Sequence, residues 1–339
     1  MSRSLDKDLL AHLKADDSNK VFGDISTLLT DLPTESGLLE IEFLGKEYPL
    51  APGTSYLRDG LAVGIPKLRL AQAFFVARQI LQNRLDGGSV PHNEMLAATA
   101  VLLLMDPEHL TAANIRKRLL VSALERSGPD KSALRQEKQF VDSLVTSRLH
   151  RHTKSPTLWS HRRWLFHLFA AHGISIDIQH DIKSIVMIAG ERHPRNYTAW
   201  HHARILLGHY PKAAELVAID VKEFCLRNHT DISGWSFLSY AIFGIEAEER
   251  RRDICSLILA DVLKIADSLG WINESVWVFL RNITTAELVN QQQFESCLAV
   301  NKKLASVTPK ESDRWRSLDS ARRWCEEHRL PTVSNLADT

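Results

Sequence analysis

Residues 195–200 read RNYTAW, one of four segments that end in tryptophan and share the same arrangement. The other three are KSPTLW at 154–159, TDISGW at 230–235 and INESVW at 272–277. Four positions before each tryptophan stands a residue typical of a helix N-cap: Ser155, Asn196, Asp231 and Asn273. A proline follows Ser155 at the first helical position, where proline is well tolerated. The pattern therefore places each tryptophan one turn into a helix.

An amphipathic stretch precedes each segment and completes a helical hairpin of about 40 residues. These stretches span residues 136–150, 177–191, 213–227 and 246–268. A fainter copy covers 110–117, with Ala113 in the place of the tryptophan. A single hairpin cannot bury its apolar face, whereas stacked hairpins can. The sequence therefore predicts an all-α fold, a right-handed α-α superhelix (solenoid) of stacked helical hairpins.

The composition agrees with a helical fold, and the patterning divides the chain into three parts. Only 15 of the 339 residues are glycine and 12 are proline, which leaves little turn chemistry for a many-stranded protein. Residues 1–65 are interpreted as an N-terminal arm, in which partial alternation over 37–50 indicates a short strand. The helical-repeat solenoid is predicted over 66–305, and a C-terminal capping helix and tail over 306–339. Individual helices are predicted at 68–85, 93–105 and 310–328.

Charge and cysteine usage exclude several classes of protein. The formal charge is +1, so no overall field attracts nucleic acid or an anionic membrane surface. The apolar runs are too short for a bilayer span of about 20 residues, and the first residues carry no signal-peptide core. The four cysteines stand apart without a CxxC pair, so neither a zinc site nor a disulfide framework is indicated. A cytoplasmic location is the simplest expectation.

The richest copies of the pattern resemble the repeat of protein prenyltransferase α subunits. They are SPTLWSHRRW at 155–164, PRNYTAWHHAR at 194–204 and NESVWVFLR at 273–281, and the resemblance extends over roughly 95–300. The run LLLMDP at 102–107 and the string KSPTLWSHRRW at 154–164 point to one branch of that family. Members of this branch act as the α subunit of a third type of geranylgeranyltransferase. The resemblance implies a subunit of a heterodimeric enzyme that is inactive alone and is not an integral membrane protein.

The same resemblance implies partners and cofactors. Members of the branch pair with the β subunit of Rab geranylgeranyltransferase and add geranylgeranyl to a C-terminal cysteine of an already farnesylated SNARE. Zinc and geranylgeranyl diphosphate are expected on that β subunit, with no metal and no cofactor on this chain. Nucleic acid is not expected as a partner, because the tryptophans are interpreted as buried and therefore unable to stack on bases.

The resemblance identifies Lys154 as the candidate catalytic residue. It stands five positions before Trp159, where the family places a lysine near the diphosphate, and its cation would stabilise charge on the leaving diphosphate. A solvated surface lysine is the alternative. Pro156 replaces the family's active-site tyrosine, so that hydrogen-bond donor is either absent or supplied by Tyr197. The further candidates for facing the diphosphate or the partner are Arg195, Asn196 and Tyr197.

Other residues of the repeat have structural interpretations. Core packing is expected, with direct partner contact as the alternative, for Trp159, Trp200, Trp235 and Trp277. Arg162 lies three positions after Trp159, and the resemblance implies that it is buried scaffold rather than a catalytic group. His201 and His202 diverge by about 100° on a helix, which indicates packing rather than a metal site.

A second function from a different class stays open. The substitution of Ala113 for tryptophan and of Pro156 for tyrosine is what a helical scaffold that had lost catalysis would show. Such a protein would use the repeats only for protein–protein interaction. Lys154 separates the two functions, since a scaffold has no need of a cation at that one position.

Overall fold

The computed structural model describes residues 18–31, 37–45, 48, 50–51, 53–127, 130–286 and 288–329. These residues form two compact units, which divide between Ile176 and Asp177. Composition and patterning divide the sequence at residues 65 and 305. The two compact units do not test that division, which stays a prediction. None of the described helices is both long enough and apolar enough to cross a membrane.

Among the described residues of the first unit, the first elements along the chain are helix α1 (Ser18–Thr30) and a small three-stranded sheet. Its strands are β1 (Glu40–Leu44), β2 (Leu57–Asp59) and β3 (Ala62–Pro66). The central strand β3 runs parallel to β1 and antiparallel to β2. Ile41 lies opposite Val63 in the register, and both side chains are buried. The prediction of β structure in the N-terminal arm is confirmed.

Helical hairpins make up the rest of the first unit. They are α2 (Lys67–Leu85), α3 (His92–Met105), α4 (Leu110–Ser127), α5 (Ser132–Val145), the short α6 (His150–Thr153) and α7 (Pro156–Ala171). Helix α5 packs against both α4 and α7. The helices predicted at 68–85 and 93–105 are confirmed, each within one residue.

The amphipathic stretch predicted over 136–150 is wrong at its C-terminal end. Helix α5 stops at Val145, because the hydroxyls of Thr146 and Ser147 bond back to carbonyls of the last turn. The next backbone amide, that of Arg148, donates to the carbonyl of Ile41 on β1, 3.1 Å away. Local side-chain bonds and a contact with the sheet therefore end the helix, although the apolar stripe continues.

The second unit repeats the hairpin without interruption. Its elements are α8 (Ile178–Asp181), a π-helical turn (Ile182–Met187), α9 (Ile188–Arg192), α10 (Tyr197–His209), a 3-10 turn (Pro211–Ala213), α11 (Ala214–Arg227), α12 (Ile232–Phe243), α13 (Glu248–Leu269), α14 (Glu274–Thr285), α15 (Gln291–Val307) and α16 (Asp313–His328).

Two layers of helices result within this unit. Helices α10, α12, α14 and α16 pack one after another, and α11, α13 and α15 do the same beside them. Successive hairpins of this unit thus contact one another, which is the packing of an α-α solenoid. The predicted all-α class built of stacked hairpins is confirmed.

The four repeat tryptophans are core residues, Trp159 in the first unit and the other three in the second. Trp159, Trp200, Trp235 and Trp277 are each no more than 2% exposed. The Trp200 ring lies 5.0 Å from that of Phe224 and 5.2 Å from that of Phe237, between two neighbouring helices. Gly234 allows the close approach of α11, since a Cβ at that position would lie 2.9 Å from the Phe224 ring. The interpretation of the tryptophans as core residues is confirmed.

Candidate functional site

The helices that carry the tryptophan position are α4, α7, α10, α12 and α14, and we call them the tryptophan helices. At the start of each lies a short segment that consists of the preceding connection, the N-cap and the first helical residue. We call these connections the cap loops; they span 106–110, 153–156, 194–197, 229–232 and 271–274. The first two belong to the first unit and the other three to the second. All the predicted site residues except the tryptophans and Arg162 lie in cap loops.

Side-chain caps fix the starts of three tryptophan helices. The Ser155 Oγ accepts from the backbone N–H of Leu158 at 3.1 Å, and the Asn196 Oδ1 accepts from that of Ala199 at 3.2 Å. The Asp231 Oδ1 accepts from the amide of Gly234 at 3.0 Å. These three predicted caps are confirmed. Each satisfies an amide that would otherwise have no partner in the first helical turn.

Asn273 does not cap its helix, and the prediction is wrong at this position. Its side-chain amide Nδ2 instead donates to the carbonyl of His229, 2.7 Å away, and to the hydroxyl of Ser275. His229 belongs to the preceding cap loop. The Asn273 side chain therefore bonds to another hairpin instead of capping its own helix.

Hydrogen bonds of this kind join neighbouring cap loops in both units. The Ser155 Oγ donates to the carbonyl of Pro107 at 3.0 Å, and the backbone N–H of Arg195 donates to the Asp231 Oδ2 at 2.8 Å. Together with the bond between Asn273 and His229, they tie the N-cap residue of one hairpin to the loop of the hairpin before it. The cap loops are therefore held by neighbours as well as by their own helices.

A second regular bond holds the tryptophan ring to its own cap loop. In three copies the indole Nε1 donates to the carbonyl six residues earlier. The pairs are Trp159 to Thr153 at 2.8 Å, Trp235 to His229 at 2.9 Å and Trp277 to Trp271 at 2.9 Å. In the fourth copy the Trp200 Nε1 is buried and has no partner among the described residues. The cap loop before Trp200 is thus built differently from the others.

Lys154 lies at the surface of the first unit, immediately before the N-cap Ser155. Its side chain is exposed, while the nearby cation of Arg151 is paired with Asp106 at 2.9 Å. Pro156 follows the cap as the first helical residue and is also exposed. The structure thus places the lysine in an accessible cap loop, and its catalytic role stays a prediction.

Arg195 and Tyr197 lie at the surface of the second unit, on either side of the buried Asn196. Tyr197 is 72% exposed, and Arg195 is exposed as well. Arg195 has φ 62°, in the left-handed region that favours glycine. The Tyr197 amide donates to the Arg195 carbonyl at 2.8 Å, which closes an inverse γ-turn over Asn196. The turn brings a cation and a phenol together at the surface.

Asn196 does not share this exposure, and its predicted partner-facing role is not supported. The residue is 1% exposed. Its oxygen caps α10, and its Nδ2 donates to the carbonyl of Ala189. The structure gives Asn196 a capping role in place of contact with a diphosphate or a partner.

Buried ion pairs with residues of α5 give Arg162 a structural role. They also reveal Arg116, which the sequence analysis did not single out. The Arg162 Nε donates to the Asp142 Oδ1 at 2.7 Å, and both side chains are 3% exposed. Five residues earlier on α5, Glu137 accepts two bonds from Arg116 of α4, at 2.9 and 2.6 Å. Arg116 follows Ala113 as Arg162 follows Trp159, by three positions, and that spacing was the available signal.

A histidine completes this buried network. The His161 Nε2 lies 3.2 Å from the Glu137 Oε1, and the ring is fully buried. Burial disfavours the charged form of Glu137, but the Arg116 guanidinium and His161 outweigh it and hold the pKa of Glu137 at about 2. For His161, burial lowers the pKa below its ordinary value. This buried network joins α4, α5 and α7.

The adjacent histidines of α10 point in different directions. His202 is buried and His201 exposed, as the helical divergence predicts. Within the described ranges, no three or more histidine, cysteine, aspartate or glutamate side chains come together as a metal site would require.

Comparison with known families relates the helical repeats to those of protein prenyltransferase α subunits. Residues 137–169, which include the cap loop 153–156 and all but the last two residues of α7, match the protein prenyltransferase alpha subunit repeat. Residues 158–260 match the ECM9 middle domain. The resemblance inferred from the tryptophan segments is thereby confirmed, and the chain carries prenyltransferase α-type repeats.

Individual relatives agree with this class. The chain is 26% identical over 189 residues to human protein prenyltransferase alpha subunit repeat-containing protein 1. This alignment covers 50% of this chain and 44% of the human protein. It is 24% identical over 205 residues to protein prenyltransferase alpha subunit repeat-containing protein 1-A of Xenopus laevis, covering 54% of this chain and 42% of that protein. The Danio rerio protein is 28% identical over 123 residues, 31% of this chain and 26% of that protein. The aligned regions thus cover less than half of each relative.

Proposed function

We propose that the chain is the α-type subunit of a heterodimeric protein prenyltransferase, inactive alone. Its partner would be a zinc-bearing β subunit of the Rab geranylgeranyltransferase type. The complex would transfer geranylgeranyl to a C-terminal cysteine of a protein, with an already farnesylated SNARE as the proposed acceptor and the cytoplasm as the proposed location. One observation carries the proposal: the segment that matches the α-subunit repeat presents Lys154 as an exposed cation in a cap loop.

The proposed chemistry divides between the two subunits. Zinc on the β subunit would supply the activated thiolate of the acceptor cysteine. On this chain, the Lys154 ammonium would face the diphosphate and stabilise the negative charge that develops as the diphosphate leaves, without proton transfer. Pro156 cannot donate a hydrogen bond at the first helical position, whereas Tyr197 occupies that position in the next copy and carries an exposed hydroxyl.

The cap loops also offer a repeated surface for a protein partner. One of the five cap loops has the charged Glu274 as its first helical residue, whereas the first helical residues of the other four, two in each unit, have exposed apolar or aromatic side chains. They are Leu110 at 64% exposure, Pro156, Tyr197 at 72% and Ile232 at 44%. Within each unit, exposed apolar groups at equivalent positions of neighbouring hairpins are candidates for contact with another protein. This supports a partner at the cap-loop side of the hairpins.

The decisive experiment is co-expression of the chain with candidate β subunits, the Rab type among them. The purified complex is then tested for isoprenoid transfer to a panel of cysteine-terminated proteins. We expect a stable complex with geranylgeranyl transfer, and a loss of about 100-fold in the double variant Lys154→Ala/Arg195→Ala, a typical cost for removing electrostatic stabilisation of a leaving group.

A matched control removes a cation from the other end of a hairpin. Lys212 is exposed and follows α10, so it lies at the end of that helix opposite to its cap loop. Lys212→Ala should leave both complex formation and transfer unchanged. Full activity of the Lys154→Ala/Arg195→Ala complex would contradict a catalytic contribution from this chain.

A non-catalytic scaffold is the second candidate, and two positions favour it. Ala113 is buried in the place of a tryptophan, and Pro156 stands in the place of the family's tyrosine. A scaffold would form complexes through the same cap-loop surface, yet its complexes would transfer no isoprenoid with any β subunit. The Lys154→Ala/Arg195→Ala variant would then bind its partner as the unaltered chain does.

A further inference from the structure

The cap loop before Trp200 has a backbone unlike those of the other copies. Its N-cap Asn196 has ψ 75°, at the centre of the inverse γ-turn, whereas Ser155, Asp231 and Asn273 have extended values of 115°, 95° and 141°. Arg195, just before it, is left-handed at φ 62°. A side chain as large as arginine disfavours that conformation, which persists only where surrounding groups enforce it.

Asp231 is the group that enforces this turn. Its Oδ2 accepts the backbone N–H of Arg195 at 2.8 Å, while its Oδ1 accepts from the first turn of α12. The side chain is buried and anchored on a helix, so the acceptor is fixed in place. One carboxylate therefore serves two structures, its own helix and the turn of the preceding hairpin.

The conformation of this turn also costs the core a hydrogen bond. In the other three copies the carbonyl six positions before the tryptophan accepts its indole N–H. In this copy that residue is Pro194, and the buried Trp200 Nε1 has no partner among the described residues. Two unfavourable features thus coincide at the one cap loop that displays an exposed arginine beside an exposed tyrosine. Strain combined with an unmade bond is typical of a site held in place for binding.

We infer that Asp231 is a positioning residue, which holds the 194–197 turn so that the Arg195 guanidinium and the Tyr197 hydroxyl act together on the diphosphate of the prenyl donor. The inference rests on the proposed function. A planar guanidinium with five donors and a phenolic donor suit the phosphate oxygens of such a ligand. Asp231 itself touches no substrate; it acts through the Arg195 backbone.

The test replaces Asp231 with serine, which caps a helix well but lacks the second carboxylate oxygen that Arg195 requires. The matched control is Asp177→Ser, because Asp177 caps α8 through the His180 amide and starts no cap loop. In the complex with the β subunit, Asp231→Ser should raise KM for geranylgeranyl diphosphate about tenfold, with kcat changed less, the size of one lost charge-assisted contact. Asp177→Ser should stay within about twofold.

A double-mutant cycle distinguishes positioning from a general structural effect. Glycine adopts a left-handed φ without strain, so Arg195→Gly removes both the cation and the need to hold the turn. If Asp231 acts through Arg195, Asp231→Ser adds no more than about a twofold rise in KM in the Arg195→Gly background. A full additional tenfold effect in that background would overturn the inference.

Hydrogen exchange of the chain alone provides a readout that does not depend on the partner. In Asp231→Ser the amides of residues 195–197 should exchange at least about tenfold faster, while those in α14 stay protected. Unchanged exchange at Arg195 would overturn the positioning role even if the proposed function holds. If Asp231→Ser speeds the exchange as expected but the unaltered chain binds no β subunit, the positioning role holds and the proposed function is refuted. Weakened β-subunit binding with an unchanged KM for the donor would overturn the assignment to the diphosphate.

Discussion

His152 illustrates how one buried group contributes to the pH dependence of stability in the first unit. It lies in α6 at 2% exposure, with its Nε2 3.1 Å from the Leu103 carbonyl and 2.9 Å from that of Leu104. Two carbonyl acceptors require that this nitrogen carries the hydrogen. Burial lowers the pKa of His152 to about 4 from an ordinary value of 6.5, against the raising effect of the two carbonyls. The ring is therefore neutral in the folded chain.

We expect the free energy of unfolding to fall as the pH drops from about 6.5 to about 4. Between these pH values His152 is protonated in the unfolded chain but not in the folded chain. Its contribution to the free energy of unfolding is therefore full above pH 6.5 and is lost as the pH falls toward 4. The loss is about 3 kcal/mol at ~1.4 kcal/mol per pH unit. Urea unfolding at several pH values measures it.

The variant His152→Gln keeps a side-chain donor for the carbonyls and removes the titration. Its stability should vary less between pH 6.5 and 4.5 than that of the unaltered chain, and a part of the variation should remain because burial also lowers the pKa of His161. Glu137 acts in a separate window, because its contribution is lost only as the pH falls from its ordinary 4.5 toward about 2. An equally steep decline in His152→Gln above pH 4.5 would show that another group is responsible.

At the scale of the elements, the tryptophan helices share a core position and differ in one hydrogen bond. Trp235 donates to the carbonyl of His229, whereas the equally buried Trp200 donates to no described residue. Both rings lie in the second unit against aromatic neighbours, Phe279 for Trp235 and Phe237 for Trp200. The two helices therefore form a natural comparison of the same side chain with and without its bond.

Phenylalanine at each position removes the indole N–H and a similar volume. Trp235→Phe should destabilise the chain by about 1 kcal/mol more than Trp200→Phe, because only Trp235 loses an indole hydrogen bond that the folded chain makes. Urea midpoints with unchanged slopes provide the measurement. Equal losses in the two variants would mean that ring packing alone sets the cost and that the indole bond adds nothing.

How much of these elements the sequence could predict depends on the range of the interactions. The hairpins and the caps at Ser155, Asn196 and Asp231 followed from local spacing, because a cap bonds amides two or three residues away. Asn273 was mispredicted because a different hairpin takes its side chain. The π-helical turn at Ile182–Met187 was missed because an added residue in a turn leaves the apolar pattern nearly intact.

The candidate site divides in the same way. Lys154, Arg195 and Tyr197 were found because the resemblance aligns them with known positions of the repeat. The bond from Arg195 to Asp231 joins residues 36 apart, and no local pattern encodes it. Such a contact depends on how two hairpins stack, which the sequence specifies only through their whole packed surface.

At the scale of the whole molecule, the chain keeps all four of its thiols inside the second unit. Cys225, Cys255, Cys297 and Cys325 lie on α11, α13, α15 and α16 and are all buried. Burial raises the pKa of Cys255 and of Cys297 to about 12, and it raises that of the other two thiols as well. A thiol in this state carries almost no reactive thiolate near neutral pH.

We therefore expect no rapid labelling of the native chain by a disulfide reagent such as Ellman's at pH 7.5. Full reaction of all four thiols should follow in denaturant. The slow native rate then reports how often the second unit opens, and Trp235→Phe should raise it. Fast reaction of even one thiol in the native chain would contradict the burial described for it.

The bonds that link neighbouring cap loops carry a consequence for synthesis on the ribosome. Each link joins a loop to a residue made later: Pro107 to Ser155, Arg195 to Asp231, and His229 to Asn273. A newly made loop therefore waits for the next hairpin to emerge before its conformation is complete. At about 5–20 residues per second, the 36 residues between Arg195 and Asp231 take seconds, far longer than a helix needs to form. The loops at Pro107, Arg195 and His229 are thus each completed only after the next hairpin of the same unit has been made.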